Sequence, residues 1–287
     1  MSDEVTRTSL TPDAVLLTGK VALITGGGAG IGRGIAAAFA AFGADVALLD
    51  INTEAAETVA ALVRAKGRRA LVITADVTDR EAVRAGIDRI VSEFGALDIL
   101  VNNAGGTRPL SLLDMTDKQT DRRIDLNLTS LFTTTQAAAK AMIAGGRGGA
   151  IINIASIEGL RGAPMHSIYA ACKAGMVNLT RTAALELGEH GIRVNCIAPD
   201  CVFTEVMARN SPESLTPAFR KQHASYFPLG RAGNFDDCAG AAVFLASPMS
   251  SYVTGVTINV DGGTWASSGW TKDKNGKWRL FAKDFDV

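Results

Sequence analysis

Seven short apolar runs, each separated from the next by a helical stretch, recur from Lys20 to Val260. No other feature limits the fold as tightly. The runs are Val21–Ile24, Val46–Leu49, Ala70–Thr74, Ile99–Val101, Ala150–Ile154, Arg193–Ile197 and Val256–Val260. Strands that are apolar at successive positions need cover on both faces, which is the condition inside a parallel sheet. Helical stretches fill the gaps: Ile31–Phe42 ended by Gly43, Thr53–Lys66 ended by Gly67, Asp79–Phe94, the long Asp117–Ile143 and Ser167–Glu189, and Phe235–Leu245. Glycine directly after a helix supplies the left-handed residue that many C-termini use. Strict alternation predicts an α/β fold: a doubly wound seven-stranded parallel sheet with helices on both faces, built as a single domain over 19–263.

The ends of the chain read differently. Residues 1–18 form a polar N-terminal lead-in, left outside the core. The extension 264–287 contains Asn275-Gly276 between two mixed runs, which predicts a two-residue β-hairpin turn with Trp270 facing Phe281.

The chain has 287 residues and is 47% hydrophobic, enough for a large core. Lys+Arg and Asp+Glu both total 29, a balance that argues against nucleic acid and against an anionic membrane surface as partners. Cys172, Cys196, Cys201 and Cys238 form no C-x-x-C pair, so neither a metal site nor a disulfide framework is expected. No run approaches the ~18 apolar residues of a membrane span, and the polar start lacks a signal-peptide core, so a cytoplasmic protein is expected.

Two places carry chemistry. Thr25-Gly-Gly-Gly-Ala-Gly-Ile-Gly32 joins the first strand to the first helix, where free N–H groups and the helix dipole suit a pyrophosphate. Asp50 ends the second strand about twenty residues on, where a carboxylate accepts both ribose hydroxyls of an adenosine. Neither Ala29 nor Ile51 offers a cation for a 2′-phosphate, and Arg33 lies one turn into the helix, so NAD(H) is expected over NADP(H). The second place is Tyr169 with Lys173, four residues apart on one helix face. Moving a phenol from ~10 to ~7 needs about 4 kcal/mol of phenolate stabilisation, and a neighbouring ammonium plus a cationic nicotinamide ring is an adequate source. Ser156 follows the strand Ala150–Ile154 at the ligand-binding edge of the sheet. Asn127 interrupts a long helix, as a distortion or a buried hydrogen-bond relay.

In order and spacing these residues resemble the short-chain dehydrogenases/reductases in their single-domain, Rossmann-like form. The resemblance covers roughly residues 18 to 263 and rests on 25–32, Asp50, Asp76-Val77, Asn102-Asn-Ala-Gly105, Asn127, Ser156, Tyr169-x-x-x-Lys173 and Asp261-Gly-Gly263. It implies a catalytic set of Asn127, Ser156, Tyr169 and Lys173. Tyr169 would be the acid/base, Ser156 would orient the substrate oxygen, Lys173 would bind the nicotinamide ribose and lower the tyrosine pKa, and Asn127 would hold a water linking Lys173 to solvent. The NAD site would take Gly26, Gly28, Gly30, Ile31, Gly32, Asp50 and Ile51. It would add Asp76 and Val77 at the adenine, then Asn103, Ala104 and Gly105, then Tyr169, Lys173, Pro199, Val202 and Thr204; Asn102 would line the cofactor and steady the central strand. One departure is plain: Pro199 is followed by Asp200 where the family usually has glycine.

Substrate choice is expected from 106–113, 157–165 and a lid over 200–230. Ser156, Tyr169, Arg108, Met165 and Met207 are the candidate substrate contacts. Their apolar surroundings suggest a medium-sized alicyclic, aromatic or steroid-like alcohol or ketone. A 3-oxoacyl thioester reductase and a non-catalytic dinucleotide-binding scaffold or sensor are the alternatives. The two long helices are apolar on more than one face, and with the resemblance they imply a homotetramer.

Overall fold

The computed structural model describes residues 11–210, 216–273 and 276–280 of the chain. Seven strands form one parallel sheet: β1 (Val21–Thr25), β2 (Asp45–Asp50), β3 (Ala70–Thr74), β4 (Ile99–Asn102), β5 (Gly149–Ile154), β6 (Ile192–Pro199) and β7 (Thr257–Val260). Their spatial order is β3-β2-β1-β4-β5-β6-β7. The winding direction reverses between β1 and β4, so a crevice opens beyond the carboxyl ends of those strands.

Because side chains alternate across a strand, each strand feeds two cores. Ala22, Ile24, Val46 and Leu48 point to one face, under α1 (Gly30–Ala41), α2 (Thr53–Arg64) and, later in the chain, α9 (Phe235–Ala246), which bury Ile35, Phe39, Val59 and Val243 there. Val21, Leu23, Ala47 and Leu49 point to the other face. There α3 (Arg80–Phe94), α5 (Ser130–Gly145) and α6 (Ser167–Leu187) contribute Ile87, Ile90, Met142 and Ala183. The apolar runs of the sequence therefore become the filling of a three-layer sandwich.

Three expectations are corrected. Leu17 is fully buried against the first core and its N–H bonds Phe42 O, so the lead-in contributes to the core after all. The helix expected over 117–143 is broken: α4 (Asp117–Ile124) passes through a π turn at Asp125–Thr129 before α5 begins. In the tail, β8 (Thr271–Lys272) pairs antiparallel with β9 (Trp278–Arg279), with Thr271 opposite Arg279 and Lys272 opposite Trp278. That register is one residue off the expected one. Asp273 N–H bonds Lys277 O, closing the ladder at that pair, and Gly276 sits at φ +74°. Phe281 and Asn275 lie outside the described residues. The stretch 200–230 carries α7 (Glu205–Asn210) and α8 (Pro217–Ala224), and the short α10 (Thr264–Ser267) opens the tail.

Candidate active site

The crevice is a cleft of about 690 Å³, floored by the glycine turn, flanked by Asp50 and Asp76, and closed at its far end by Ser156, Tyr169 and Lys173. The turn is held open by backbone conformations that a side chain would not adopt. Gly26 sits at φ +62°, and a Cβ there would fall 3.0 Å from Ala104 Cα. Gly32 lines no cleft: a Cβ on it would come within 2.3 Å of Gly26 O, so its glycine serves the packing of helix on turn. Asn103 clasps the turn from β4, its Nδ2 donating to Thr25 O (3.0 Å) and Gly26 O (2.9 Å). Thr25 reciprocates, its Oγ1 accepting from the N–H groups of Asn103 and Ala104, both at 3.0 Å.

At the other wall, Asn52 caps α2. Asp50 is thereby free of that duty. Its carboxylate is oriented instead by Gly28 N–H (2.8 Å) and Asn52 N–H (2.9 Å), and it faces the cleft. Ile51 and Val77 line the same wall, and Asp76 turns its carboxylate back onto Thr78 N–H (2.9 Å) and hydroxyl (2.8 Å). Gly30, Ile31, Ala104, Gly105, Pro199 and Thr204 complete the contour.

Ser156, at the end of β5, caps a short 3-10 turn by accepting from Glu158 N–H (3.2 Å). Lys173 lies one turn beyond Tyr169 on α6, fully buried, and donates from Nζ to Ile154 O (2.7 Å), 5.5 Å from the Tyr169 ring centre. Burial takes its ammonium down to about 8. Burial also pushes the Tyr169 phenol above 10, opposed by a hydrogen bond with Ser156 and reinforced by the Glu158 charge. In the chain by itself the balance thus runs upward, opposite to the lowering expected from Lys173 with a bound nicotinamide. Asn127, buried inside the π turn, accepts from Gly106 N–H (2.9 Å) and donates from Nδ2 to Gly106 O (3.1 Å) and Arg123 O (2.9 Å). Gly105 is wedged beside it: a Cβ there would lie 2.9 Å from Asn127 Oδ1 and 3.6 Å from Lys173 Nζ. The helix distortion and the side-chain bonds of Asn127 to the Gly106 and Arg123 backbone thus fall at one place.

Some expectations about position are overturned. Asn102 lines no part of the cleft. It is buried between β4, β5 and α5, bonded to Asn153 (2.9 Å), Thr135 (3.1 Å) and Thr134 (2.5 Å), and steadies the central strands only. A second cleft of about 790 Å³ adjoins the first through Tyr169 and takes in Val202 and Met207. Arg108 and Met165 line neither cleft; Arg108 is exposed, and Met165 sits half-exposed at φ 68°. Glu158, which belongs to no motif in the sequence, lines this second cleft together with Arg161. Arg161 Nη2 lies 2.9 Å from Glu158 and 3.7 Å from Asp200. Asp200, in place of the usual glycine, also accepts from Thr264 Oγ1 (2.5 Å), tying the strand end to the start of the tail. Burial raises its carboxyl above the ordinary range, against the Thr264 bond and the Arg161 charge.

A glycine turn beneath a helix terminus and a cleft-facing carboxylate suit a nicotinamide dinucleotide, and a serine, tyrosine and lysine at the far end of the same cleft define the class: a dinucleotide-dependent oxidoreductase. The comparisons agree and narrow it. The family described as enoyl-(acyl carrier protein) reductase matches residues 26–264. Sorbitol dehydrogenase of Cereibacter sphaeroides is 42% identical over 257 residues, 88% of this chain and 99% of that protein. The 3-oxoacyl-[acyl-carrier-protein] reductase FabG of Chlamydia muridarum is 41% identical over 249 residues, 86% and 98% respectively. Among solved structures, 7α-hydroxysteroid dehydrogenase complexed with NADH and 7-oxo glycochenodeoxycholic acid superposes with TM-score 0.82 at 38% identity, covering 88% of this chain and 97% of that one. A gluconate 5-dehydrogenase from Burkholderia cenocepacia in complex with NADP and tartrate gives 0.81 at 38% identity, covering 88% and 98%. The chain belongs to the short-chain dehydrogenase/reductase family and is an oxidoreductase of alcohols and ketones. Among the described residues no helix is long and apolar enough to cross a membrane.

Proposed function

We propose that the chain interconverts a secondary alcohol and a ketone with NAD(H), using Tyr169 as acid/base, Ser156 to hold the substrate oxygen and Lys173 with Asn127 to organise the nicotinamide end. The observation that carries this is the meeting of Ser156, Tyr169 and Lys173 in one cleft with Asp50 at its opposite end. The cradle suits the dinucleotide: Gly26 and Gly30 bring bare backbone to the cleft where a pyrophosphate would approach, and Asp50, held by Gly28 N–H, would accept from a ribose. When bound, the nicotinamide supplies the hydride acceptor or donor. The protein's own part is to bind the substrate oxygen between Ser156 and Tyr169 and to move one proton at the phenol oxygen.

NAD(H) is favoured by the Asp50 carboxylate, which lines the cleft and would repel a 2′-phosphate. For the substrate, the charged Glu158–Arg161 pair with His166 and Tyr226 in the second cleft supports a polar, polyhydroxylated alcohol. An apolar steroid-like molecule would have to desolvate that pair without replacing its hydrogen bonds. Similarity to sorbitol dehydrogenase points the same way, while similarity to FabG keeps the 3-oxoacyl thioester reductase as a second reading. A homotetramer is in keeping with Phe132 on α5 and Leu185 on α6, 53% and 85% exposed.

Tyr169→Phe tests the mechanism. We expect turnover of a polyol with NAD to fall by roughly 10²–10⁴, the range of a lost acid/base group, with NADH binding by fluorescence unchanged. Full turnover in the variant would refute the assignment.

A further inference from the structure

The first turn of α1 is already occupied by an anion from elsewhere in the chain. Glu205, the first residue of α7, lies 175 positions from Gly30, yet its Oε2 accepts from Gly30 N–H at 3.2 Å. Its Oε1 is paired with Arg33 Nη1 at 2.6 Å. Arg33 is held in place from the other side by the Phe235 ring, 5.0 Å from its guanidinium carbon, and that ring packs so closely on Gly34 that a Cβ there would fall 2.7 Å from Phe235 Cβ. The preceding residue, Thr204, rests its methyl over Gly30, 3.4 Å from where a Cβ would stand. The start of the 200–230 stretch is therefore seated on the helix terminus by a carboxylate using a first-turn N–H and a guanidinium.

Those are the donors a pyrophosphate would seek. A carboxylate and a diphosphate cannot share them, since like charges at contact distance repel and each needs the same N–H. We propose that Glu205 is an internal substitute for the cofactor's pyrophosphate: it is exchanged out when a dinucleotide binds, Arg33 passes from carboxylate to phosphate, and Glu205 thereby sets dinucleotide affinity. The proposal rests on the reading that the pyrophosphate sits at the start of α1. Its consequence is selective, because only a ligand carrying a diphosphate gains the released donors.

The test is calorimetric binding of ADP-ribose and of adenosine to the full chain, wild type and Glu205→Gln, at low salt. We expect the variant to bind ADP-ribose about tenfold tighter, with adenosine affinity within about twofold of wild type. The gain should vanish in the double variant Glu205→Gln/Arg33→Gln, since it depends on a freed guanidinium. Glu205→Asp, too short to span both donors, should reproduce part of the gain and serves should the glutamine variant fail to fold. Equal or weaker ADP-ribose binding in both single variants overturns the proposal while leaving the cofactor reading intact. Absence of ADP-ribose binding in every protein overturns both.

Discussion

The two clefts that meet at Tyr169 are built on different principles. The dinucleotide cleft is shaped by backbone: glycines at the turn, N–H groups orienting Asp50, and Asn103 and Thr25 lacing β1 to β4. The second cleft is shaped by charged side chains, with Glu158 paired to Arg161, whose guanidinium also lies 3.7 Å from Asp200 on the wall of the first. Backbone-built sites tolerate almost no added volume, whereas side-chain-built sites exchange partners at small cost. The first kind preserves a common ligand, and the second is where selectivity can change.

The sharpest way to break that contrast is to add a methyl group on each side. Behind the turn that floors the dinucleotide cleft, Gly32→Ala drives a Cβ onto Gly26 O, so the turn or helix must move. We expect a loss of about 3 kcal/mol in urea unfolding, the upper range for overpacking, together with loss of NADH binding. Gly162→Ala in the second cleft meets nothing within 4 Å and should stay within about 0.5 kcal/mol. Similar losses for both would erase the distinction.

Lys173 lies one turn from Tyr169, where the two clefts meet, and its burial has a cost that pH exposes. Its pKa falls from 10.5 unfolded to about 8 folded. The unfolded chain therefore binds the extra proton between those values, and stability rises as pH climbs from 8 to 10.5. The shift corresponds to roughly 3 kcal/mol, fully felt as a penalty below about pH 8. Relative to Lys173→Met, the cofactor-free wild type should gain about that much between about pH 7 and pH 10.5, read from urea midpoints. A constant gap between the two proteins would show that the ammonium carries no such penalty.

The smallest effect is expected at Glu158→Gln. The pair with Arg161 is partly solvated, so stability should change by less than about 1 kcal/mol. KM for a polyol should nevertheless rise several-fold while KM for NAD stays constant. An unchanged polyol KM would remove the second cleft from substrate recognition.

Sequence legibility follows the same division. The strands, the glycine turn and Asp50 are legible because their signals are local: apolar runs, glycines and a carboxylate at a strand end. Leu17 is not, because nothing nearby in sequence reveals that it packs beneath α1 and reaches Phe42. Glu205 on Gly30, and Asp200 on Thr264, join residues 175 and 64 positions apart, and no periodicity anticipates either. For Arg108 and Met165 the sequence offers only nearness along the chain to cleft residues, which does not determine where a loop side chain ends. In the tail, Asn-Gly marks a hairpin, but loop length is set by pairing beyond the dipeptide, so the register differs by one.

The π turn at Asp125–Thr129 has one more implication. A regular helix advances about 100° per residue, so one surplus residue sets α5 out of phase with α4 by about that angle. The stripe by which α5 sits on the sheet, Ala138 and Met142 included, is thus not the continuation of any stripe on α4. Excising a single residue there would bring the two segments back into step, and Asn127 would no longer be aimed at Gly106. The bracing of the reactive end is a matter of counting: the rod carries one residue more than a regular spiral would allow.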